Sequence, residues 1–180
     1  IVLVQPEKRS KRKTDRRDAN ALSETLWVNR ERLLAGKRVQ GLRCVEWPSE
    51  EEASDRQITA LRRNLGQSRT RTINRIKHLL RKHNVEQECP TKGLDTIRGK
   101  KWLAQLTLNK IDRLEMDQLL AQWKLCDEQI EVVEKEIQQR QAQSPAAAIV
   151  ATIPGAGAYA SLALSSRVGS IERFARPGSL

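Results

Sequence analysis

Between Leu119 and Ile137 the residues Leu119, Trp123, Cys126, Ile130, Val133 and Ile137 recur at alternating intervals of four and three. That spacing is a coiled-coil seam, and a helix carrying it needs another helix to cover it. A second segment has a related pattern. From Ile58, the positions Leu61, Leu65, Thr72, Ile76 and Leu79 or Leu80 fall at three, four or their sums, which predicts a helix of about thirty residues. PSEEEASDRQ supplies its start: Pro48, Ser49 as cap, and Glu50, Glu51 and Glu52 in the first turn, where the helix dipole favours negative charge. The rest of this helix is basic, with Arg62, Arg63, Arg69, Arg71, Arg75, Lys77, Arg81 and Lys82, which read either as a nucleic-acid-binding face or as a solvated one, whereas the seam helix carries the acidic run DEQIEVVEKEI. Opposite flanks predict antiparallel pairing into a helical hairpin, and two-fold association of copies through the seam is expected as well.

Composition supports a helical chain. Charged residues make up 31% of the 180 and aromatics 3%, so the apolar material is aliphatic and thinly spread, which suits an elongated, mainly α protein better than a sandwich or barrel. A net charge of +11 favours a polyanionic partner, because each phosphate neutralised by Lys or Arg releases condensed counterions. DNA or RNA fits this better than a membrane, since the sequence has no apolar span and no amphipathic anchor. IVLV at the start is too short for a signal peptide, and the expected location is the cytoplasm. Cys44, Cys89 and Cys126 are odd in number and far apart, with His78 and His83 the only histidines, so neither a zinc site nor a disulfide framework is expected.

Smaller elements flank the hairpin. IVLVQ reads as a short strand ended by Pro6, followed by a solvated loop EKRSKRK. Thr14 or Asp15 can cap a helix running to Gly36, with Ala19, Leu22, Leu26 and Leu33 on its buried side. Lys37 to Pro48 is irregular, with a short extended piece through Val39 and Val45. QAQSPAAA reads as a linker, and IPGAGAYASLAL as a tight turn opening an Ala-rich helix. Gly155 and Gly157 permit positive φ and close backbone approach, which suits either a helix-hairpin-helix-like phosphate contact through the helix-start amides or a plain structural turn. The expected parts are 1–47, 48–143 and 144–180.

The chemistry concentrates in KRKTDRRDANAL at 11–22. A spacing of three puts the Asp15 and Asp18 carboxylates on one helix face, near enough to share a divalent ion such as Mg²⁺, as phosphodiester-cutting enzymes require. Equally physical is a helix cap at Asp15 with Asp18 paired to Arg17 or Arg12. Lys11, Arg12, Lys13, Arg16 and Arg17 form a phosphate-seeking cluster. Ser161, Ser165 and Ser166 have no nearby histidine in the sequence and are not read as nucleophiles.

Three segments, KTDRRDANAL at 13–22, LRRNLGQSRTRTINRIKHLLRKHNV at 61–85 and TIPGAGAYASLALSSRVGSIERF at 152–174, together resemble the DEDD transposases of bacterial insertion sequences, the IS-one-ten family. The first is similar to that family's K-T-D-x-x-D-A signature and the last to its I-P-G-x-G motif. The resemblance implies an RNase-H/RuvC-like domain, a coiled-coil segment and a C-terminal transposase domain, with DNA recombination guided by a structured RNA. It also implies that Asp15 and Asp18 are the third and fourth acids of a Mg²⁺ site. The first Asp and the Glu are then expected upstream of Ile1 and a catalytic serine downstream of Leu180. The chain is expected to be an internal fragment that does not catalyse recombination alone. A basic helical adaptor without enzymatic activity, in which Asp15 and Asp18 only cap a helix, is the alternative.

Overall fold

A three-residue strand, β1 (Val2–Val4), pairs antiparallel with β2 (Leu42–Cys44), Leu3 lying opposite Arg43. Between them run α1 (Asp15–Val28) and α2 (Arg30–Leu34). The computed structural model describes residues 2–4, 15–37, 39, 42–44, 47–171 and 174. The chain divides into two compact units, 1–48 and 49–180.

In the first unit, the helix expected to run unbroken to Gly36 is interrupted at Asn29. The Thr25 hydroxyl donates to the Ala21 carbonyl at 2.7 Å and the Asn29 amide to the Thr25 carbonyl at 2.9 Å, local bonds that compete with helix continuation. Gly36, at φ +67°, closes the second piece. The buried side expected at Ala19, Leu22 and Leu26 is a correction: no residue of α1 is buried, and Leu22 and Leu26 are 44% and 48% exposed. Two strands of three residues offer too little surface to cover a helix of 14.

The second unit starts at a closed capping box: the Ser49 hydroxyl accepts from the Glu52 amide and the Glu52 carboxylate from the Ser49 amide, each at 3.1 Å. From there α3 (Glu50–Lys82) runs 33 residues, about 50 Å. After a 3₁₀ turn at Glu86–Glu88 come α4 (Ile97–Gln105), capped by Thr96, and α5 (Lys110–Gln143), where Asn109 Oδ1 accepts from the amides of Ile111 and Asp112. The ion pairs Asp55–Arg140, Arg62–Glu134, Arg69–Asp127 and Lys82–Asp112 join α3 to α5. Partners on α5 fall in number as those on α3 rise, so the hairpin is antiparallel.

Apolar packing gathers at its two ends. Ile76, Leu79, Leu80, Leu103, Met116, Leu119 and Trp123 form one cluster; Ile137, Ala147 and Leu162 form the other, with Ile58, Val133 and Ala158 packed against it. Leu61, expected on the inner face, is 47% exposed. Thr59 and Thr72 are buried instead, their hydroxyls donating to the Asp55 and Ser68 carbonyls one turn back, so the polar groups are satisfied within the helix.

The segment expected as a linker is a helix junction. Ser144 ends α5 and caps α6 (Pro145–Ala151), its hydroxyl accepting from the Ala147 amide at 3.3 Å, with Pro145 in the first turn. Next, α7 (Ala158–Val168) folds back onto α3 and α5, burying Leu162, and Arg56 Nε donates to the Ser166 carbonyl at 2.7 Å. The seam residues Leu119, Trp123, Cys126, Ile130 and Ile137 are therefore covered by the chain's own helices. At the turn before α7, Gly155 has φ +87°, but Gly157 has φ −71°, which any residue adopts, so only one of the two expected positive-φ glycines is real. Nothing lies within 4 Å of a Cβ at either. Gly155→Ala is expected to cost about 1–2 kcal/mol of stability through backbone strain, while Gly157→Ala leaves the urea midpoint essentially unmoved.

Asp112 locks the end of the hairpin where α3 leaves and α5 begins. Its carboxylate accepts from Lys82 Nζ at 2.8 and 2.9 Å and from the Asn109 amide at 2.6 Å, and lies 2.6 Å from His83 Nε2. The Lys82 bond first, then those of His83 and Asn109, hold its pKa at about 2, against an opposing push from desolvation. Because the folded pKa is depressed below the ordinary value of 3.8, the stabilisation is complete above that value and is lost as pH falls towards about 2. Asp112→Asn is expected to make the loss of helical circular dichroism over that acid window shallower than in the native chain.

Candidate nucleic-acid interface

From Arg56 to Val85 the sequence holds seven arginines and two lysines and no Asp or Glu. The fold divides these cations between two faces of α3. Arg62 donates through Nε at 2.8 Å and Nη2 at 2.6 Å to Glu134 Oε1, and Arg69 Nε donates to Asp127 Oδ1 at 2.6 Å. Lys100 of α4 reaches the other oxygen of Asp127 at 2.8 Å. Burial pushes the Asp127 carboxyl up, but the bonds from Lys100 and Arg69 outweigh it and hold the pKa below its ordinary value. Arg69 and Lys100 also lie over Trp123, 5.5 and 4.7 Å from the ring centroid.

Arg62 and Arg69, expected among the nucleic-acid-binding residues, are engaged in the ion pairs that join α3 to α5. The signal was present in the sequence, since positions 62, 69 and 76 are one heptad column and Ile76 is fully buried. An apolar count misses it because two members of the column are arginines.

The other face differs. Arg63 and Arg71 are exposed and have no ion pair or hydrogen bond to a carboxylate among the described residues. Arg75 stays 62% exposed, with Glu115 3.5 Å away. Lys77 is half-buried beside Glu86, whose carboxyl is held low mainly by Arg81, with a smaller contribution from Lys77. The outer face of α5 neutralises itself instead, through the i,i+4 pairs Arg113–Asp117, Lys124–Glu128 and Glu131–Lys135.

Of the remaining expected residues, Lys11, Arg12 and Lys13 lie outside the described residues. Arg16 and Arg17 are exposed on α1 beside Asp15 and Asp18, which occupy its first turn and are exposed too. Among the described residues, no group of three or more His, Cys, Asp or Glu side chains could hold a metal ion. Mg²⁺ takes six oxygen ligands in near-octahedral geometry, usually one or two carboxylates completed by waters and substrate phosphates, so Asp15 and Asp18 would supply at most part of such a set. Gly157 starts α7 without a side-chain cap, which leaves the first amides of that helix without partners inside it. Ser161 is buried and donates to the Gly157 carbonyl at 3.0 Å, a structural role. Among the described residues no helix is long and apolar enough to cross a membrane.

No family model, no curated protein and no solved structure matches the chain.

Proposed function

We propose that the chain is a nucleic-acid-holding part of a DNA transposase of the IS-one-ten type, with the outer face of α3 lying on the phosphate backbone of DNA or of a guide RNA. The observation that carries this reading is the exposed outer face of α3 beyond Asp55, where the helix has no acid, with Arg63 and Arg71 unpaired among the described residues, on a chain of net charge +11. Each of those guanidiniums can replace a condensed counterion on a phosphate without first breaking an internal ion pair. The transposase assignment rests on the resemblance of KTDRRDANAL and TIPGAGAYASLAL, in that order, to the family's motifs. In it, Asp15 and Asp18 serve as two of the acids around Mg²⁺, and the α7 start adds backbone amides to the phosphate contacts.

A non-enzymatic adaptor would use the same surface, with Asp15 and Asp18 as first-turn acids of α1 only. Detection of Mg²⁺-dependent strand cleavage by this chain would rule the adaptor out. Binding itself is tested by titrating the purified chain with fluorescent duplex DNA and stem-loop RNA at increasing salt. A steep, log-linear fall of affinity with salt is expected; a flat response would remove the phosphate reading.

A further inference from the structure

On the face of α3 turned away from Arg69, Ile76 and Leu80, the residues Asn64, Gln67, Arg71, Asn74 and His78 recur at intervals of three, four, three and four. All five are exposed, and the amides of Asn64, Gln67 and Asn74 have no side-chain hydrogen bond among the described residues. This stripe does not have the composition of a face selected only for helix stability. Asparagine is one of the weaker helix formers, at a cost of several tenths of a kcal/mol per residue relative to Ala, and two occupy central turns of α3. The outer face of α5, in the same hairpin, also exposes carboxamides at Gln118, Gln122 and Gln129, but it carries acidic residues among them, in i,i+4 pairs with Lys, where the α3 stripe has none.

We infer that this stripe enters the major groove of B-form DNA and that Gln67 and Asn74 read base edges there, with Asn64 extending the contact; the inference rests on the nucleic-acid reading above. A carboxamide can pair with both N6 and N7 of adenine, donating to one and accepting from the other. The groove is about 12 Å wide and admits one α-helix of about 10–12 Å diameter. Gln67 and Asn74 are seven residues apart, about 10 Å along the axis, which matches about three base steps of 3.4 Å. Arg63, Arg71 and Arg75 surround the amides with positive charge for the flanking phosphates, and no carboxylate of α3 lies beyond Asp55 to repel them. The major groove of A-form RNA is too deep and narrow for side chains to read, so duplex DNA is the partner this stripe fits.

The test is a selection from random-sequence duplex DNA with the purified chain and with the Q67A/N74A variant. Both substitutions are exposed and replace a residue by a better helix former, and circular dichroism checks that the variant is folded. The native chain is expected to enrich a short adenine-containing site. The variant is expected to keep its affinity for random duplex within about threefold while losing about tenfold or more of the preference for that site. No enrichment by the native chain, despite salt-sensitive binding, overturns base reading and leaves the phosphate reading standing. Unchanged preference in the variant, or tighter binding to an RNA stem than to the enriched duplex, also overturns it. Failure to bind any nucleic acid overturns both readings.

Discussion

Trp123→Ala is expected to lower the free energy of unfolding by about 3–5 kcal/mol, a large part of the 5–15 kcal/mol that holds a typical domain together. Trp123 is 1% exposed and belongs to the larger apolar cluster, with Ile76, Leu80, Met116 and Leu119. Removing the indole leaves a cavity and also withdraws the ring over which Arg69 and Lys100 sit. Those two cations hold Asp127, so α3, α4 and α5 would loosen together. Trp123→Phe is expected to cost much less, because it keeps most of the ring and because the buried indole N–H has no hydrogen-bond partner to lose among the described residues. Urea denaturation followed by circular dichroism measures both. A loss for Trp123→Ala below about 1 kcal/mol would mean that the indole is not packed as described.

How much of this was legible in the sequence depended on the range of the interaction. The start of α3 could be read from Ser49 and Glu52 because a capping box is local. The antiparallel hairpin was legible because its charge asymmetry is spread over two long segments, and the ion pairs run in the expected sense. The inner face of α3 was only half legible. Near Ile76 and Leu80 the seam is apolar, but near Thr59, Arg62 and Arg69 it is polar, and counting hydrophobic residues drifted to Leu61, which faces solvent. The return of α7 depends on Leu162, Ser161 and Ser166 meeting two helices far away in sequence, and an Ala-rich helix gives no strong periodic signal for that. The candidate metal pair Asp15 and Asp18 was visible as a motif. Its chemistry depends on further oxygen ligands, which a spacing of three cannot supply.

The second large effect concerns the division of the arginines. R63A/R71A removes two exposed cations without touching an ion pair or the apolar clusters. Its thermal midpoint should stay within a degree or two of the native chain's, as expected for surface changes of about ±0.5 kcal/mol. Binding should suffer instead: each lost phosphate contact flattens the dependence of log affinity on log salt by about one unit. R62A/R69A removes the same formal charge from the inner face, where both guanidiniums bond carboxylates of α5. That variant should melt earlier while its remaining folded fraction keeps close to the native salt slope.

The most direct measurement is the salt slope of duplex-DNA affinity for these two variants and the native chain, each at a temperature where it is fully folded. A slope shallower by about two units in R63A/R71A, with little change in R62A/R69A, is the expected result. An unchanged slope in R63A/R71A, or an equal flattening in both variants, would contradict the assignment of the outer face of α3 to nucleic acid and the inner arginines to the hairpin.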